Sequence, residues 1–78
     1  MRLRKHPDYY YAMRDEIIEL MDDQAGQPFD ATNYRIQFRK VAAKHRIPGT
    51  SYLAHFSIIQ RMVAERLPKM RPRQPSLA

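Results

Sequence analysis

Arg35, Arg39 and Arg46 stand at i, i+4 and i+11. That spacing puts three guanidinium groups along one edge of a helix. Guanidinium forks in a row can grip successive phosphates through paired hydrogen bonds, positioning a nucleic acid without reading its sequence. Lys40 and Lys44 sit further round the same segment. The expected nucleic-acid-binding set is Arg35, Arg39, Lys40, Lys44 and Arg46, joined by Thr50, Ser51 and Arg61 from the segment that follows.

That following segment offers a second kind of chemistry. Pro48 and Gly49 make a short break between two helical patterns. Val41 and Ala42 face inward before the break, Ile47 lies in it, and Leu53 and Phe56 anchor the helix after it. This spacing loosely resembles repressor-type helix-turn-helix motifs. The resemblance implies that Thr50, Ser51, Ala54, His55, Ser57 and Arg61 approach base edges from the start of a recognition helix. A plain helical hairpin gives the same pattern, so both geometries stay open. A third candidate is an apolar interface. Ile36, Ile47, Ile58 and Met62 fall off the main apolar stripes and could meet a second copy of the chain or a larger protein. On that reading the chain is a small adaptor or inhibitor, of the phage or plasmid accessory kind.

Catalysis and metal binding find little support. There is no Cys, which excludes disulfides, thiolate zinc sites and thiol nucleophiles. His6, His45 and His55 lack metal-ligand spacing, and His45 falls on a packing stripe. The pairs Glu16/Glu19 and Asp22/Asp23 lie on a helix face with nothing to desolvate them, and acid–base work needs a pocket and a shifted pKa. No enzyme, cofactor, metal or small-molecule substrate is expected. The run Tyr9-Tyr10-Tyr11 could stack bases beside Arg2, Arg4 and Lys5, but it also suits Tyr10 in a core with its neighbours on the flanks.

The elements that must position these residues are helical. The 78 residues allow one domain. Its charge is lopsided: residues 1–30 carry four basic against seven acidic residues, net −3, and residues 31–78 carry ten against one, net +9. A segment so basic attracts polyanions over a Debye length of about 8 Å. The first helix is predicted from Pro7 to Ala25, with Tyr10, Met13, Ile17, Leu20, Met21 and Gln24 in its stripe and Gly26 as a left-handed stop. Tyr11 and Ile18 widen that stripe on one flank. The second runs from an Asp30 cap to about Arg46, with Tyr34, Phe38, Val41, Ala42 and His45 inward and Phe29 stapled to Tyr34. The third begins at a Thr50 or Ser51 cap and reaches Leu67, stopped by Pro68. Its stripe is Tyr52, Phe56, Ile59, Val63 and Leu67, with Leu53 alongside and Ile58 and Met62 as a side row.

The expected fold is therefore all-α: a three-helix domain over residues 1–67 and a disordered, Pro-rich basic tail over 68–78. The order of elements, with Tyr34 and Pro48 placed about the second helix, resembles the theta subunit of bacterial DNA polymerase III, a three-helix protein of similar length. The apolar positions after Pro48 slip by one against that family, so no residue's role is carried across. No apolar run approaches the ~20 residues needed to span a bilayer, and no apolar stretch follows the basic N-terminus as in a signal peptide. A cytoplasmic protein is expected, with duplex DNA or a larger protein as partner, a homodimer as one form, and no membrane role.

Overall fold

A computed structural model describes residues 5–21 and 26–70. Among them run three α-helices, α1 (Asp8–Leu20), α2 (Ala31–Lys44) and α3 (Tyr52–Arg66), with 3-10 turns at Gly49–Ser51 and Leu67–Lys69. The described residues contain no strand. The chain is a small all-α bundle, and no helix among the described residues is long and apolar enough to cross a membrane.

Pro7 precedes α1, and its carbonyl accepts the first helical hydrogen bond from the Tyr10 N–H at 3.0 Å. The helix stops at Leu20, five residues short of the predicted end. The Met21 N–H closes the last turn onto the Ile17 and Ile18 carbonyls, at 2.9 and 3.1 Å. Gly26 adopts the left-handed conformation at φ 78°. Gln24 and Ala25, and the acids Asp22 and Asp23, lie outside the described residues.

The start of α2 follows the sequence closely. One Asp30 carboxylate oxygen accepts from the Thr32 and Asn33 N–H groups at 3.0 and 3.1 Å, satisfying two donors that have no helical partner. Phe29 packs its ring 5.6 Å from that of Tyr34, the staple that fixes the chain's entry. The end of α2 differs from expectation. The helix closes at Lys44, and Arg46 turns left-handed at φ 56°. The Ile47 N–H then reaches back to the Ala42 carbonyl at 3.1 Å, and the Arg46 N–H to Ala43 at 3.2 Å. This is a Schellman closure, with arginine where glycine is usual. Arg46 therefore leaves the helical edge it was expected to share with Arg35 and Arg39.

Ser51 precedes α3 without capping it: its hydroxyl donates to the Pro48 carbonyl at 3.3 Å. At the other end Pro68 does not halt the chain, because a 3-10 turn carries on through Lys69. Leu67 is fully buried and Met70 packs against the core. The Leu67 carbonyl accepts from both the Gly26 and Met70 N–H groups, at 2.9 and 3.1 Å, so the connection after α1 is tied to the end of α3. Residues 71–78 of the expected tail lie outside the described residues.

The core is built from the three stripes. Met13, Ile17 and Met21 meet Tyr34 and Phe38, with Ile59, Val63 and Leu67 from the third side, all of them fully buried. Phe56 presents its ring to Tyr34 and Phe38 at 5.1 Å from each, in edge-on geometries worth ~0.5–1.5 kcal/mol apiece beyond area burial. Two expected stripe members fall outside. Leu20, the last residue of α1, is half exposed, and Leu53 is 77% exposed. Leu53 follows Tyr52 by one position, roughly 100° round the helix, which carries it off the buried row.

Candidate functional site

The acidic helix α1 reaches across to the basic face of α2. Glu16 accepts from Lys44 Nζ on one carboxylate oxygen and from His45 Nε2 on the other. These bonds, Lys44's first and His45's second, hold its carboxyl below the ordinary range despite partial burial. Glu16 thus belongs to a contact rather than to the solvated face expected of it, and Lys44 is engaged by an acid. Lys40 borders the same α1–α2 cleft, facing Glu16 and Glu19 across Leu20 and Val41.

Arg35 and Arg39 remain on the flank of α2 away from α1, about 6 Å apart along the axis. Both are exposed, as is Arg46 in the turn beyond. None of the three has a hydrogen bond or ion pair among the described residues. Elsewhere Asp15 holds Arg14 at 2.8 Å, and Asp30 caps α2. The arginine edge survives as a pair on the helix and one member past its end.

The helix-turn-helix reading keeps some anchors and loses others. Val41, Ala42, Ile47 and Phe56 all lie in or against the core. Seven residues, 45–51, separate α2 from α3, where a tight motif uses about three or four. Leu53 is no anchor, being exposed, and His55 cannot meet a base edge, because it is buried. Its Nδ1–H donates to the Ser51 carbonyl at 2.7 Å, since a carbonyl can only accept. In the neutral ring that leaves Nε2 to accept from the Tyr9 hydroxyl, also at 2.7 Å. Tyr9 stays exposed on the flank of Tyr10, with its hydroxyl bonded to protein rather than to water alone, while Tyr10 is core as expected. Thr50, Ala54, Ser57 and Arg61 are exposed, the last three at i, i+3 and i+7 on one outer row of α3, and Ser51 is half-buried.

A second basic surface lies between α1 and α3, an open groove of about 890 Å³. Tyr11, Ile58, Met62 and Met70 form its half-buried floor. Around them, among the described residues, stand five cations, Lys5, Arg14, Arg61, Arg66 and Lys69, against a single lining acid, Glu65. Sequence reasoning singled out Arg61, Ile58 and Met62 separately but did not bring them together with Lys5, Arg14, Arg66 and Lys69. The available signal was paired: Tyr11 widens the α1 stripe on one flank, and Ile58 and Met62 widen that of α3. The structure does not gather the four expected interface residues on one surface. Ile58 and Met62 line the groove, whereas Ile47 packs against the core from the turn and Ile36 stands half exposed on α2.

No group of three His, Cys, Asp or Glu side chains among the described residues could hold a metal ion. No protein-family model matches the chain, and comparison with curated proteins and with solved structures likewise finds no match.

Proposed function

We propose that this chain is a small DNA-binding module that grips duplex phosphates through Arg35, Arg39 and Arg46 and lays the outer row of α3 along a groove. One observation carries the reading. These three guanidiniums are exposed and unclaimed by acids among the described residues, although α1 supplies acids that reach other cations. Lys40 and Lys44 contribute less than the sequence alone suggests, because both neighbour the carboxylates of α1. Thr50 and Ser51 lie just beyond Arg46 in the same turn, and Ala54 and Ser57 keep the outer row of α3 low enough for close approach. Arg61 ends that row. Such a contact is chiefly electrostatic, so it tolerates sequence and favours any duplex of suitable length.

The test is fluorescence anisotropy of a labelled duplex titrated with the protein at several salt concentrations. Affinity should fall with salt, the slope of log K on log salt being about −0.9 for each phosphate neutralised. Absence of binding, or binding indifferent to salt, overturns the reading.

A further inference from the structure

We propose that the α1–α3 groove is a docking site for an amphipathic helical segment of a partner protein, apolar on one face and acidic on the other. This goes beyond the DNA reading and uses the α1–α3 side, which shares only Ser57 and Arg61 with the proposed DNA row. The charge balance selects the occupant's polar side: five cations surround the groove, and among the described residues that line it Glu65 is the one acid, with Asp15 pairing only Arg14. The floor selects its other side. Ile58 and Met62, at i and i+4, form one ridge of α3, and Met70 extends the apolar surface beyond the helix. A helix seats its own side chains against such a ridge. Methionine adapts its shape to whatever enters.

The same floor argues against a single-stranded nucleic acid. Bases would need open aromatic faces on which to stack. Tyr11 carries the Arg14 guanidinium over its ring, 5.3 Å from the centroid. His6 is stacked on Tyr10 at 5.3 Å, with the planes 8° apart. The aromatic surface beside the groove is thus already engaged, and what is offered to a ligand is aliphatic and thioether.

The test uses a labelled synthetic peptide of about 15 residues, long enough to form a helix, with Leu at alternating three- and four-residue spacing and Glu at most other positions. Anisotropy with the full-length chain should show saturable binding. The double variant Arg66→Glu/Lys69→Glu should weaken it by about tenfold or more. A scrambled peptide of the same composition should bind at least about fivefold more weakly, because its leucines no longer share a face. The double variant Arg35→Glu/Arg39→Glu makes the same change in net charge on α2 and should leave peptide affinity within about twofold. Far-ultraviolet circular dichroism checks that both variants stay helical. Equal losses from the two double variants, equal binding of the scrambled peptide, displacement of the peptide by oligo-dT at lower concentration than by unlabelled peptide, or no saturable binding would each overturn the proposal.

Discussion

The Tyr34 hydroxyl donates to the main-chain carbonyl of Phe56 at 2.7 Å, so a fully buried side chain of α2 is tied to the backbone of α3. Burial, and next the neighbouring Tyr52, push its ionisation well above the usual tyrosine range. Tyr34→Phe keeps the ring and removes the bond, which should cost about 1 kcal/mol in urea unfolding. The pH dependence has a definite sign. An unfolded tyrosine releases its proton near pH ~10, whereas Tyr34 holds it in the fold, so stability falls as the pH rises through that value. The Phe variant should show a shallower alkaline loss. Equal alkaline slopes would refute the assignment.

Glu16 works in the opposite direction. Its carboxyl titrates below the ordinary value because Lys44 and His45 bond to the charged form. The stabilisation it gives is complete above the unfolded value of about 4.3 and is lost as the pH falls through the lower folded value. Lys44 is 71% exposed, so the Lys44 pair should contribute no more than ~1 kcal/mol. Urea midpoints measured from about pH 6 down to about pH 3 should fall more steeply for the wild type than for Glu16→Gln.

Arg46 combines strain with exposure. A non-glycine residue at φ 56° carries roughly 1–2 kcal/mol of steric cost. Arg46→Gly should relieve part of it and raise the thermal midpoint, by about 1 kcal/mol in free energy. The same change removes a proposed phosphate contact. Duplex affinity should therefore fall while stability rises, and a rise in both would remove Arg46 from the interface.

Arg35 and Arg39 should act as two independent phosphate contacts. Their double replacement by Gln should reduce the magnitude of the salt slope by about 2 and leave the unfolding midpoint within ~0.5 kcal/mol. Lys44→Gln should reduce the slope by less than either arginine does, since Glu16 already competes for that ammonium. A Lys44 effect equal to that of Arg35 would refute the ranking.

The sequence revealed most about what is local. The Asp30 cap, the Phe29–Tyr34 staple and the stripes Tyr34–Phe38–Val41 and Ile59–Val63–Leu67 depend on neighbours two to five positions away, and all appear as read. Arg46 escaped because its alignment depended on where α2 stops, and that stop is made without the glycine that usually announces it. Leu53 was misplaced because a residue beside a stripe belongs to the core only if a neighbouring element covers that flank. His55 looked like a reader of bases from its place early in α3, but its environment is set by Tyr9, forty-six positions away. The groove is hardest to foresee, because half its floor and three of its cations come from segments outside α3.

Two of the long-range ties also bear on the cost of assembly. Tyr34 and Phe56 are 22 positions apart, Tyr9 and His55 are 46. Each doubling of a closed loop adds about 0.6 kcal/mol of entropic cost, so the Tyr9–His55 tie is the costlier of the two, whereas α1 reaches α2 through Glu16 and Lys44 over 28 positions, close to the span between α2 and α3. Whatever the order, docking of α1 sets a carboxylate, Glu16, as an internal counterion against the cationic end of α2.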